Sequence, residues 1–70
     1  MNINKLRGKI VENGMNVATL ASKMGIDRAT LYRKLNNKGS TLTIKEANLI
    51  VDILNLTERE AMDIFFTNIV

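Results

Sequence analysis

Residues 17–36 read VATLASKMGIDRATLYRKLN, and this stretch decides the fold. Apolar residues in Val17–Met24 recur at the i, i+3, i+4 and i+7 spacing of one helix face. The segment 28–36 follows with leucines four residues apart, and Asp27 stands before it as its predicted N-cap. Gly25, between the two segments, supplies the positive φ that favours a helix end. The stretch therefore predicts two short helices joined by a three-residue turn.

A tight turn of this kind crosses two helices at a steep angle and leaves the second one prominent. Ala21 is predicted to lie where the helices approach most closely, a position that requires a small side chain. Leu31 follows Gly25 by six positions and is predicted to face the pocket beneath the second helix. An ordinary helical hairpin can show this spacing by chance, so the rest of the chain decides its meaning.

The segment before this stretch also has helical periodicity. Ile3, Leu6 and Ile10 predict a first helix that stops at Asn13-Gly14, and Asn16 is placed to cap the second helix. Together with the segments that follow, the pattern predicts an all-α fold of five short helices. No internal repeat or linker interrupts it, so residues 1–70 are predicted to form a single domain.

Two capping boxes follow the central stretch, at Thr43–Glu46 and at Thr57–Glu60, and predict the fourth and fifth helices. The residues expected on the core side of the fourth helix are Ile44, Ala47, Ile50, Val51 and Leu54. The fifth helix is apolar around most of its circumference, through Ala61, Met62, Ile64, Phe65, Phe66, Ile69 and Val70.

Composition excludes most enzyme classes. The 70 residues include no Cys and no His, which removes disulfides, the usual zinc and haem ligands, and the common nucleophile–base pairs. We therefore expect a binding module without catalytic residues, metal, cofactor or small-molecule substrate. No apolar run approaches the roughly 20 residues that span a bilayer, and no signal-peptide core follows Met1. The expected location is the cytoplasm.

The net charge of +3 is divided unevenly along the chain. Residues 1–45 hold nine basic and two acidic residues, whereas residues 46–70 hold one basic and five acidic residues. This separation favours one face for a polyanion and another face for a different purpose. The alternative is that solvated charges are segregated by chance.

The central stretch, lying in this basic half, resembles the helix-turn-helix proteins of the phage repressor and Cro type, the XRE family with a lambda-repressor-like fold. The residues that carry the resemblance are Leu20-Ala21, Lys23–Ile26, Leu31, Leu35–Lys38 and Ile50–Leu56. The resemblance spans Leu6 to Phe66 and implies a DNA-binding transcriptional regulator. The family often has a phosphate-contacting Gln where this chain has Val17, so Asn16 or Thr19 is expected to take over that contact.

The resemblance also implies which side chains meet DNA. In such proteins the second motif helix lies in the major groove, with its N-terminal residues at the base edges. The residues expected to contact bases are Arg28, Ala29, Tyr32 and Arg33. The residues expected to contact phosphates are Asn16, Thr19, Thr30, Lys34, Asn36, Asn37, Lys38, Ser40 and Thr41. The alternatives are that both arginines are ordinary exposed residues and that Tyr32 covers Leu35 or the first helix.

The fifth helix is expected to mediate dimerisation. Phe65 and Phe66 are ~100° apart on a helix, so one core face does not readily bury both. The predicted interface is Met62, Phe65, Phe66, Ile69 and Val70. A homodimer would read two half-sites of a pseudo-palindromic, double-stranded operator. The alternative is that both Phe side chains close the core.

Three other interpretations remain open from the sequence. The same fold serves as a protein-interaction module of the antitoxin or anti-repressor type. An enzyme is disfavoured by the missing His and Cys. The chain also fits the N-terminal domain of a longer repressor.

Overall fold

In the computed structural model, residues 1–37 and 41–66 are described, and they form five helices and no strand. The helices are α1 (Ile3–Glu12), α2 (Val17–Met24), α3 (Arg28–Asn36), α4 (Ile44–Leu54) and α5 (Glu58–Phe65). The predicted all-α class is confirmed. The predicted site residues Lys38, Ser40, Ile69 and Val70 lie outside the described residues.

Three of the helices end in the same backbone motif, in which a left-handed residue reverses the chain. The left-handed residues are Gly14, Gly25 and Asn55, with φ of 71°, 76° and 53°. The amide after each of them bonds to a carbonyl five residues earlier: Met15 to Ile10, Ile26 to Ala21 and Leu56 to Val51, each at 3.0 Å. This is the Schellman arrangement, which satisfies helix-end carbonyls and turns an apolar residue back towards the core.

The N-termini confirm most of the predicted caps. Asn16 Oδ1 accepts from the Thr19 amide at 2.8 Å, and both predicted capping boxes are formed. The prediction that Asp27 caps α3 is wrong in one respect: Asp27 occupies the N-cap position, but its carboxylate makes no capping hydrogen bond. Because Asp27 is exposed, water replaces that bond at little cost in free energy.

The core is apolar throughout the described part of the chain, with no polar or charged residue buried. Its members are Leu6, Ile10, Val17, Leu20, Ala21, Met24, Leu31, Leu35, Ile50, Leu54, Leu56 and Ile64. The second helix is central, because both α3 and α4 pack against it, while α1 packs against α5.

One core prediction is wrong. Ile44 is 83% exposed, whereas Ile50 and Leu54 on the same helix are buried. Six residues separate Ile44 from Ile50, which places the two side chains about 120° apart around the helix. Ile44 instead shares a stripe with Val51, seven residues later, and this stripe runs along the groove between α4 and α5. The fourth helix therefore has a second apolar stripe, of which Val51 packs partly against the core and Ile44 does not.

Ion pairs join α1 to α5. Lys9 on α1 pairs with Glu60 on α5, and Lys5 Nζ lies 2.9 Å from Asp63 Oδ2. The ammonium of Lys9, followed by the Thr57 amide, lowers the pKa of Glu60 to about 2. The same hydrogen bond to Glu60 raises the pKa of Lys9. Acidic residues of the second half thus pair with basic residues of the first.

Replacing Glu60 with Gln is expected to weaken the dependence of stability on acidic pH. The folded-state pKa of about 2 lies below the ordinary value of 4.5. The contribution of this carboxylate is therefore present above pH 4.5 and is lost as the pH falls towards 2. Urea unfolding followed by circular dichroism should show the variant less stable than the wild type at neutral pH, with the two converging in acid.

The control is Glu58→Gln, which removes the same charge from the same helical turn without breaking an ion pair of the described structure. Equal pH dependence in Glu60→Gln and wild type would contradict the assigned role of the Lys9–Glu60 pair.

Candidate nucleic-acid interface

The turn between α2 and α3 has the predicted helix-turn-helix form. Gly25 donates its amide to the Ser22 carbonyl at 3.1 Å, and Ile26 donates to the Ala21 carbonyl at 3.0 Å. Ala21 and Leu31 are fully buried beneath the turn and the third helix. A side chain larger than that of Ala21 would need space that the close-packed core does not have. The turn therefore fixes where α3 starts.

The third helix has one buried face and one open face. Leu31 and Leu35 are buried. The exposed residues of this helix are Arg28, Ala29, Tyr32, Arg33 and Asn36. Arg28 lies seven positions before Leu35 and so on the same stripe, where it is exposed at the N-terminal end of the helix. All four residues predicted to contact bases are thus exposed, and we call the surface that they form the α3 face.

Tyr32 is an exposed residue of α3 that also lies beside the first helix. Its side chain borders a groove of about 210 Å³ together with residues of α1 and of the α2 N-terminus, including Arg7, Asn16 and Val17. It nevertheless stays 44% exposed. The ring therefore flanks the first helix and is also partly exposed to solvent on the α3 face.

Asn16 and Thr19 lie together at the start of α2, next to this groove. Thr19 donates both its amide, at 2.8 Å, and its hydroxyl, at 3.0 Å, to Asn16 Oδ1. Both side chains are exposed. The carboxamide oxygen of Asn16 is thereby occupied as a cap, and its Nδ2 group is the donor that remains for a phosphate.

A second groove, of about 290 Å³, borders the C-terminal half of α3. Its lining residues are Thr30, Arg33, Lys34, Asn37 and Thr41. Four of these were predicted as phosphate partners, and the structure brings them beside Arg33. We call this feature the α3–α4 groove because Asn37 and Thr41 belong to the segment that connects these two helices.

Lys34 has internal partners that the sequence analysis missed. Its Nζ atom donates to the Thr41 carbonyl at 3.0 Å and to Glu46 Oε1 at 3.2 Å. Glu46 at the same time accepts from the Thr43 amide at 2.9 Å as part of the capping box. The Thr43 amide first, and then Lys34, lower the pKa of Glu46. Partners 7 and 12 residues away leave no periodic signal in the sequence.

The basic residues divide into paired and unpaired groups. Lys5, Lys9 and Lys34 pair with acidic side chains. Within residues 1–37 and 41–66, the basic residues of the first half that form no ion pair are Arg7, Lys23, Arg28, Arg33 and Lys45. The positive charge that remains for an anionic ligand is therefore concentrated on a few side chains, two of them on the α3 face.

The predicted dimerisation surface is partly present on the described chain. Met62 and Phe66 are 54% and 52% exposed, and Phe65 is half-buried. Phe65 and Phe66 border a groove of about 160 Å³ between α4 and α5, together with Ile44, Ala47, Asn48, Val51 and Ala61. The sequence pattern does not indicate that α4 contributes to this groove, because it predicts Ile44 on the core side of the helix.

Membrane-spanning helices and clusters of metal ligands are absent from the described residues. None of the described helices is both long and apolar enough to cross a membrane. Among these same residues, no three potential metal ligands of the Cys, His, Asp or Glu type lie together.

Comparison with known protein families identified the family to which this sequence is similar. The profile of the Cro/C1-type HTH DNA-binding domain matches residues 5–66, a span that reaches from α1 to the end of α5. Neither the curated proteins nor the solved structures gave a significant match.

Proposed function

This chain belongs to the Cro/C1-type helix-turn-helix DNA-binding domain family, and we propose that it regulates transcription by binding a pseudo-palindromic operator as a homodimer. The observation that carries this proposal is the α3 face, whose side chains are exposed on a helix that is anchored to the core by the buried Leu31 and Leu35. In the proposal, the protein acts by binding and not by catalysis.

The α3 face reads the base edges in the major groove. Arg28 and Arg33 each donate a bidentate pair of hydrogen bonds to a guanine edge, worth ~1–3 kcal/mol of discrimination when well placed. Ala29 contacts a thymine methyl group, and Tyr32 packs on a sugar or a methyl group. Both arginines are exposed and without an ion pair in the described structure, so binding does not require an internal contact to break.

Phosphate contacts fix the register of the domain on DNA but do not carry sequence information. The proposed partners are Asn16 and Thr19 at the start of α2, and Thr30, Asn36, Asn37 and Thr41 along the C-terminal half of α3 and beyond it. Lys38 and Ser40, outside the described residues, belong to the same proposed set. Lys34 is set apart because Thr41 and Glu46 already hold its ammonium. Phosphate neutralisation makes the affinity fall steeply with salt.

Dimerisation uses the apolar end of α5. Met62, Phe65 and Phe66 form the proposed interface together with Ile69 and Val70. Exposed aromatic and Met side chains beside a groove are the kind of patch that marks a protein interface. Two-fold dimers of this fold bind half-sites about one helical turn apart, and one half-site alone gives too little specificity.

In this proposal the dimer occupies its operator and excludes RNA polymerase, as a phage-type repressor in the cytoplasm of a bacterial cell. The exposed groove between α4 and α5 also supports a second candidate, an interaction module of the antitoxin or anti-repressor type. A stoichiometric protein partner combined with no operator preference would favour that candidate.

Arg28→Ala and Arg33→Ala should each relax base preference at one position of the operator. Loss of a bidentate contact reduces discrimination by about 1–3 kcal/mol at that base pair. The measurement is fluorescence anisotropy with an operator selected from random DNA and with its single-base-pair variants, at one fixed salt concentration.

The matched control is Arg59→Ala, which removes the same side chain from α5 and should leave base preference unchanged. If Arg28→Ala and Arg33→Ala weaken operator and random DNA to the same extent, α3 does not read the sequence.

Phe66→Ser should shift the protein from dimer to monomer, because it removes an exposed aromatic ring from the proposed interface. Sedimentation equilibrium, with and without operator DNA, measures the change. Val11→Ser is the control, since Val11 is also exposed but lies on α1. A wild-type protein that stays monomeric at high micromolar concentration, both free and on DNA, would contradict the dimer.

A further inference from the structure

Lys34 connects three separate parts of the chain through one ammonium group. It lies on α3, its Nζ atom bonds to the Thr41 carbonyl at 3.0 Å, and it pairs with Glu46 in the first turn of α4 at 3.2 Å. The side chains of Lys34 and Glu46 are only 20% and 16% exposed. Such a pair is screened less by water and salt than an ion pair on the open surface.

The connection matters because α3 and α4 share few other constraints. Both helices pack mainly against α2, and each is positioned by its own contacts with that helix. The pair between Lys34 and Glu46 ties α3 directly to α4. The hydrogen bond from Lys34 to the Thr41 carbonyl also holds Thr41, which lines the α3–α4 groove together with Arg33.

The hydrogen bonds of the capping box fix the position of Glu46. Its carboxylate accepts from the Thr43 amide at 2.9 Å, and its own amide donates to Thr43 Oγ1 at 3.0 Å. The capping box therefore fixes the position of the carboxylate independently of Lys34. To contact a DNA phosphate, the Lys34 ammonium has to break its hydrogen bonds to Thr41 and Glu46.

We propose that Lys34 and Glu46 form a positioning pair that holds Arg33 and Thr41 at the separation required by operator DNA, and that Lys34 is not itself a phosphate ligand. This inference rests on the proposed DNA-binding function and assigns it a further pair of residues. In this proposal neither residue touches DNA, and both act through Arg33, a proposed base contact, and Thr41, a proposed phosphate contact.

The two possible roles of Lys34 predict opposite effects of Glu46→Gln. The substitution adds one positive unit to the net charge and removes the carboxylate charge that holds the Lys34 ammonium, while Gln retains an oxygen for the Thr43 amide. If Lys34 is a phosphate ligand restrained by Glu46, operator binding becomes tighter. If the pair positions the groove, operator binding becomes weaker although the protein is more basic.

The chain contains a matched control in its second capping box. Glu60 accepts from the Thr57 amide at 2.9 Å and pairs with Lys9, so Glu60→Gln makes the same charge change in the same local motif. That pair joins α1 to α5, away from the α3–α4 groove. Any effect of net charge or of reduced stability is therefore common to the two variants.

The experiment measures the ratio of affinities for selected operator and for random duplex DNA across a salt series. It uses wild type, Glu46→Gln, Glu60→Gln, Lys34→Gln and Lys34→Arg, at a temperature where circular dichroism shows each to be folded. We expect Glu46→Gln and Lys34→Gln to lower this ratio by about tenfold, equivalent to about 1.4 kcal/mol. Lys34→Arg keeps the pair and should retain most of the ratio, and Glu60→Gln should retain all of it.

The double variant Lys34→Gln/Glu46→Gln adds a test of coupling. If the two residues act as a pair, Lys34→Gln has a much smaller effect once Glu46 is already Gln. Additive effects, or tighter operator binding by Glu46→Gln, would overturn the proposal. So would a loss of about one unit in the salt slope for Lys34→Gln, which is the mark of a phosphate ligand. Failure of the wild type to prefer any operator would instead refute the proposed function itself.

Discussion

The hydrogen bond from the Ile26 amide to the Ala21 carbonyl is the interaction on which the placement of the α3 face depends. It closes a turn in which Gly25 adopts a φ of 76°, a region that costs other residues roughly 1–2 kcal/mol. The turn ends α2 at Met24 and lets α3 begin at Arg28, while Ala21 stays fully buried. With this geometry fixed, Leu31 and Leu35 enter the core, and the arginines of the same helix face solvent. A change at this turn would redirect the whole α3 face.

The charge separation along the sequence acquires a more specific meaning in the folded chain. Three of the five acidic residues of the second half, Glu46, Glu60 and Asp63, pair with lysines of the first half. These pairs join α1 to α5 and α3 to α4. The lysines involved therefore link helices of the fold, whereas Arg28 and Arg33 form no ion pair within the described residues. Net charge alone overstates the number of groups that remain to bind a polyanion.

Local rules predicted the helix ends and the open face of α3. Positive-φ residues, capping boxes and leucine spacing act over three or four positions, so the sequence displays them directly. Ile44 was misplaced because α4 has a second apolar stripe, and periodicity does not indicate which stripe meets the core. Asp27 occupies the expected position without its bond, since solvent competes for an exposed carboxylate. The Lys34–Glu46 pair depends on how α3 and α4 are packed on α2, which no local pattern contains.

Selection of bound DNA from a random pool tests the central claim most directly, because it reports base preference and half-site spacing together. The account predicts enrichment of an inverted repeat whose half-sites are about one helical turn apart, centre to centre. Each half-site should contain guanines at the positions read by arginine. A pool that stays random after repeated rounds, while the protein retains salt-sensitive binding to any duplex, would contradict sequence-specific recognition by α3.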